Sequence, residues 1–222
     1  MSRQIWIDGS KPTVHIDCAP NEQVEAVILL KDQAAVSCTA TLQAHSQIKW
    51  HSVVMGEQVQ CEVFTDHQGE GSSSEHIGVF VGRDHHQFKL NYHSNHQAAH
   101  TSGHITVHGV LFDAAYADFK GNIVIAQTGQ DTSASLNEHT LLLGDKARSD
   151  SIPQMDIQTD TVKATHSSGM SRIDQEQLFY CTSRGISKEA ASQLIVHGFL
   201  AECIQLPQLQ AAVDEYLQYA EA

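Results

Sequence analysis

At 222 residues, with 41% hydrophobic and 18% charged side chains, the chain is long enough for one packed domain with an appendage. Thirteen basic against 26 acidic residues leave a formal charge of −13, which repels phosphate backbones and anionic lipid and argues against binding either through a basic face. No apolar run approaches the ~20 residues that cross a bilayer, and the opening residues lack the apolar stretch of a secretory signal, so the expected compartment is the cytosol.

From Thr13 to about Gln158 the chain reads as short apolar alternations split by polar turns. Val14, Ile16 and Cys18 alternate, as do Val24, Ala26, Ile28 and Leu30, and Val36, Cys38, Ala40 and Leu42. Ile48 with Trp50, then Val59, Cys61 and Val63, Ile105 with Val107, and Ile123 with Ile125 continue the pattern. A period of two marks half-buried strands, and many short ones in succession predict a sandwich, a barrel or a β-solenoid. Pro12 and Pro20 fall outside the alternations, as ladder hydrogen bonding requires. Gln68 to His76 is a polar Gly/Ser stretch expected to form a turn. Residues 1–158 are therefore assigned to a β domain and 159–222 to a helical one.

In the second part Asp174 reads as an N-cap with Gln177 three residues on. The short helix holding Leu178, Phe179 and Cys181 is expected to stop at Gly185. Ser187 caps a second helix with Ala191, Leu194, Ile195, Gly198, Phe199 and Cys203 on one face. Pro207 starts a third, striped by Leu209, Val213 and Leu217.

The five cysteines, Cys18, Cys38, Cys61, Cys181 and Cys203, are odd in number and scattered, with no Cys-x-x-Cys pair. That argues against a disulfide framework and against a self-contained zinc or ferredoxin-type site. Cys18, Cys38 and Cys61 share the phase of the apolar alternations and are expected to point inward, where burial suppresses thiol reactivity. Seven histidines crowd residues 85–108 (His85, His86, His93, His96, His100, His104 and His108), and are read chiefly as incidental rather than as a metal site. No phosphate-cradling Gly-rich loop with Lys-Ser/Thr, no nucleophile elbow and no His-Glu-x-x-His is present, so the chain is not expected to be an enzyme.

Three stretches carry a family resemblance: HGVLFDAAYADFKGNIVI (108–125), SLNEHTLLLGDKARSDSIPQMDI (135–157) and DTVKATHSSGMSRIDQEQLFYCTSRGIS (160–187). Their order and content resemble the SufB/SufD family, scaffold subunits of iron–sulfur cluster assembly. The resemblance implies a right-handed parallel β-helix followed by a small C-terminal helical domain. It implies helices that dock a SufC-like ABC ATPase, and scaffold subunits paired through their β-helices around a transient Fe–S cluster; whether a flavin participates is left open. Because the β pattern begins near residue 13, the chain looks like a short, core-only member, expected to form a homodimer or to pair with a paralogous scaffold subunit.

By the same resemblance, His166 matches a family histidine. Glu138 stands where SufB carries a cysteine, with His139 beside it, so these three are the candidate cluster ligands. A carboxylate can bind iron but cannot carry a persulfide. Arg184, Lys188 and Glu189, around the start of the second helix, are the candidate ATPase contacts. Two alternatives stay open: a SufD-like structural subunit that ligates nothing, and an unrelated His-rich metal-binding β protein.

Overall fold

The computed structural model describes residues 3–218. Its odd-numbered strands, β1 (Arg3–Ile7), β3 (Gln23–Leu30), β5 (Gln47–Met55), β7 (Ser73–Gly82), β9 (Ser102–Leu111), β11 (Ser133–Leu142) and β13 (Lys163–Ser171), form one sheet in that order. The even-numbered strands, β2 (Thr13–Cys18), β4 (Ala34–Leu42), β6 (Gln58–His67), β8 (Gln87–His96), β10 (Tyr116–Ile125) and β12 (Arg148–Ile157), form the other. Neighbours in each sheet are parallel, so every second strand stacks on the one a full turn earlier. This is the β-helix that the resemblance implied, not a sandwich of antiparallel hairpins. Three helices follow: α1 (Gln175–Ser183), α2 (Lys188–Ala201) and α3 (Pro207–Gln218). No helix among the described residues is long and apolar enough to cross a membrane.

The change from strand to helix falls later than residue 158, because β13 still pairs with β11 through Ser171. The Gly/Ser stretch also divides differently from the expectation. Its turn ends at Ser72, and Ser73 to His76 opens β7. Ser74 and His76 tolerate the interior because their polar atoms meet partners there, His67 and Ser52 respectively.

Between the sheets lies a core of the alternating side chains, including Ile28, Cys38, Trp50, Val63, Leu90, Phe119 and Ile123. A second core covers the outer face of the odd sheet. There Val27, Val53, Met55, Val79, Val81, Val110 and Leu141 meet Val196, Leu200, Leu209, Val213 and Leu217 of α2 and α3. Burial on both faces explains why strict alternation is lost in the second halves of β5 and β7.

The turns conceal a repeat. At one corner Asn21, His45, Gly71, His100 and Asp131 all adopt φ between 56° and 67°. Each donates its N–H to a carbonyl one turn further along: Ala44, Glu70, Ala99, Gln130 and Thr161. Glycine, asparagine, aspartate and histidine all tolerate this left-handed region, so the position is constant while its residue changes.

Helix ends follow local chemistry. The Asp174 side chain accepts from Glu176 N and the Ser187 side chain from Ala190 N. Gly185, at φ +87°, lets its own N–H reach Thr182 O and that of Ile186 reach Cys181 O, closing α1. The buried face of α2 is rotated from the expected one: Ala191, Val196 and Leu200 are buried, whereas Leu194 is 58% exposed. The apolar stripe of α2 is wider than one interface, and the rod takes only part of it.

Candidate functional site

Glu138 lies inside the rod. It alternates in phase with Ala134, Leu136 and Thr140 on β11 and is only 3% exposed. Thr140 Oγ1 donates to its Oε1, and Ser168 Oγ on β13 donates to its Oε2 at 2.9 Å. Ser151 Oγ of β12 sits 2.8 Å behind Ser168 Oγ. No ion pair reaches this carboxylate among the described residues; hydroxyls alone satisfy it. Nearby on the inward side of β12, Ser149 Oγ is buried with no hydrogen-bond partner among the described residues.

His166 faces the same side as Glu138. Register pairs Leu136 with His166 and Glu138 with Ser168, so His166 is one pleat away on the adjacent strand, on the order of 8 Å between Cα atoms. Among the described residues β13 is the last strand of its sheet and no further turn covers it, which leaves His166 exposed. Edge position also explains Pro153 within β12, since proline is tolerated in a strand only where one side lacks a partner.

His139 does not join them. It projects from the opposite face of β11, where its Nε2 is 2.9 Å from Ser171 Oγ and its ring meets Phe199 of α2 edge-on, with centroids 5.3 Å apart. His108 completes this contact: its Nδ1–H donates to Phe199 O at 2.8 Å and its ring stacks on Phe199 at 4.2 Å. The two histidines clasp α2 onto β9 and β11. Among the described residues, no three His, Cys, Asp or Glu side chains converge as a metal-holding group. The crowded histidines also separate: His96 is interior, His93 and His104 face outward, and His86 and His100 sit in turns.

The interior contains a polar column that was not anticipated. His67 and His96, one turn apart, stack with centroids 4.3 Å apart. The His67 nitrogens lie 3.0 Å from Ser72 Oγ and 2.9 Å from Ser74 Oγ. Those of His96 lie 2.9 Å from Ser94 Oγ and 2.8 Å from Thr101 Oγ1, which continues to Thr132. Burial disfavours the imidazolium, lowering the pKa of His96 to about 4 and that of His76 to about 3, with His67 also well below its usual value. Phase could have found two of them: His67 alternates with Cys61, Val63 and Thr65, and His96 with Tyr92 and Ser94.

The cysteines of the rod behave as their phase predicts. Cys18, Cys38 and Cys61 are fully buried, and burial pushes Cys18 up to about 11, Cys38 up to about 12 and Cys61 higher still. Cys203 is buried under α3 and raised to about 12 by the same cause, while Cys181 is half-buried.

On the helices, Arg184, Lys188 and Glu189 are all exposed, and the Arg184 guanidinium stacks on Tyr180 at 5.2 Å. The structure adds what the sequence reading missed: Phe179 is 73%, Tyr180 62% and Leu194 58% exposed around them. An exposed aromatic on a short capped helix gives little sequence signal, because its spacing also fits a core position.

Comparison with known proteins places this architecture. The family model described as SUF system FeS cluster assembly, SufBD core domain, matches residues 15–199. The iron–sulfur cluster assembly protein SufD of Bacillus subtilis is 34% identical over 164 residues, covering 73% of this chain and 38% of that protein. SufD of Escherichia coli is 40% identical over 93 residues, 42% of this chain and 22% of that protein. SufB of Bacillus subtilis is 28% identical over 148 residues, 66% of this chain and 32% of that protein. The chain thus spans well under half the length of these relatives. With the matched segment running from β2 to the end of α2, the chain belongs to the SufBD family of iron–sulfur cluster assembly proteins.

Proposed function

We propose that this chain is a non-catalytic scaffold subunit that pairs with a second scaffold through the open end of its β-helix, holds a nascent iron–sulfur cluster there as cargo, and docks a SufC-like ABC ATPase through α1 and α2. The observation that carries the docking is the exposure of Phe179, Tyr180 and Leu194 on the two helices whose junction bears Arg184, Lys188 and Glu189. Exposed aromatic anchors with an adjacent arginine match the composition of protein–protein hot spots. For the cargo, Glu138 and His166 supply oxygen and nitrogen donors from adjacent strands at the uncovered end. A second subunit at that end would complete the ligand set. The proposed setting is the cytoplasm, which suits five free thiols.

A second reading is a SufD-like subunit that pairs and docks but ligates nothing. Two observations favour it: Glu138 is already satisfied by Thr140 and Ser168, and SufD sequences match at 34% and 40% identity against 28% for SufB.

Two experiments decide. Mixed with its ATPase on a sizing column, the wild type should co-elute, and Phe179→Ala with Leu194→Ala should weaken binding about tenfold or more. Separate peaks under every nucleotide condition would remove the docking. Anaerobic reconstitution with iron and sulfide should load the wild type and lose most of the cluster absorbance in Glu138→Ala and His166→Ala. A colourless wild type selects the SufD-like reading; equal loading in all three proteins removes both residues as ligands.

A further inference from the structure

We propose that the cavity between α2, the end of α3 and the turns after β7, β9 and β11 binds a small zwitterion with an apolar side chain, of the free α-amino-acid class. The site is separate from the cluster region and from the exposed face of α1, and it does not depend on the function proposed above. Its volume is about 440 Å³, within the roughly 300–1,000 Å³ usual for small-ligand sites. Phe112, Leu143, Val196 and Leu217 line it with apolar surface where the helical layer leaves the rod.

Both signs of charge stand at its wall. Arg83 is the cation. Its guanidinium carbon lies 4.7 Å from the ring centre of Tyr216, whose hydroxyl is in turn 3.0 Å from His86 Nδ1. The side chain is 26% exposed, and the carboxylate paired with it among the described residues, Asp84, is 3.9 Å from Nε, beyond hydrogen-bond reach. The charge is held flat and in place, yet among the described residues no carboxylate accepts a hydrogen bond from it. Asp113 is the anion. Its Oδ2 accepts from Asp84 N at 3.0 Å, and its other oxygen has no partner among the described residues.

Register brings the two to one cavity. Gly82 pairs with Leu111 one turn or ~5 Å away, and the turn residues that follow each strand, Arg83 with Asp84 and Phe112 with Asp113, line the same space. His197 adds a further polar group: its Nδ1 is engaged by Asp214 at 3.2 Å, which leaves Nε2 for the cavity. A simple anion would meet Asp84 and Asp113 in a chain of formal charge −13, and a simple cation would meet Arg83. A molecule with carboxylate and ammonium on one carbon satisfies both, and its side chain fills the apolar part. Charged hydrogen bonds of this kind are the stronger class.

Isothermal titration calorimetry with L-leucine tests it. Saturable binding is expected, with N-acetyl-L-leucine (no ammonium), L-leucinamide (no carboxylate) and glycine (no side chain) each weaker by about tenfold or more. Asp113→Asn keeps an oxygen to accept from Asp84 N–H, so the turn survives, and it should weaken L-leucine by a similar factor. Leu143→Trp should block the cavity. Absence of saturable binding by L-leucine, L-methionine and L-phenylalanine at millimolar concentration overturns the proposal. So does equal affinity for either blocked analogue, or unchanged affinity in Asp113→Asn with its circular dichroism intact.

Discussion

His96 shows how one residue type serves opposite ends in this fold. On the surface a histidine titrates near neutrality; inside the rod it is a neutral aromatic hydrogen-bond bridge. Its lowered pKa makes it a source of acid sensitivity. Above pH 6.5 neither folded nor unfolded His96 carries the proton, and no penalty exists. Between 6.5 and about 4 the unfolded chain binds a proton that the folded one refuses, so stability falls as pH falls through that window. His67 and His76, shifted in the same direction, deepen the loss. Unfolding free energies from urea titrations between pH 7.5 and 4.5 should fall by an amount on the order of a few kcal/mol in total. In His96→Asn the slope should be shallower, although the variant starts less stable. An equal slope in both proteins would mean that His96 is not buried neutral.

At the scale of elements, α2 is held from two directions. Its N-terminus is closed by Ser187, and Phe199 near its C-terminus is clasped between His108 and His139. Ser187→Ala should cost about 1 kcal/mol through the lost cap. Gly185→Ala should cost a similar ~1 kcal/mol, purely from the backbone: an added Cβ meets nothing within 4 Å, but φ is +87°. Both are measurable as lower melting temperatures with unchanged strand content, and a stabilised Gly185→Ala would show that the turn relaxes. The caps were legible in the sequence because capping is a matter of neighbours within four residues. The buried face of α2 was not, because Leu194 and Val196 are equally apolar and only the position of the rod selects between them.

Across the whole molecule the rod widens toward its C-terminal end. The register between stacked strands lengthens from 21 residues, Arg3 against Val24, to 32, Tyr116 against Arg148. The added residues enter both strands and turns, which erases any fixed sequence period while each turn keeps its stacking. At the wide end β12 and β13 are edges, with Ile152, Ile157 and Met170 exposed at 44%, 40% and 48%. Unpaired edges with apolar exposure favour pairing with another chain. The proposed scaffold pair should therefore form in sedimentation velocity as a dimer, and Met170→Lys should shift it toward monomer by placing a charge at that edge. A wild type that stays monomeric across the micromolar range would exclude self-pairing and leave only a paralogous partner.

Sequence by itself determined the strands β2 to β6, β9 and β10, their apolar inward residues, and the caps of α1 and α2 at Asp174 and Ser187, since each depends on period-two alternation or on contacts within a few positions. Val36, Cys38, Ala40 and Leu42 are buried as their phase requires. The family resemblance selected the β-helix among folds that share such alternation. Only the tertiary structure decided that Glu138 lies inside the rod and His139 outside it. It also decided that His67 and His96 stack, and that Arg83 and Asp113 share a cavity. Those facts follow from which strand lies one turn away, and pairings 21 to 32 residues apart leave no local trace in the chain.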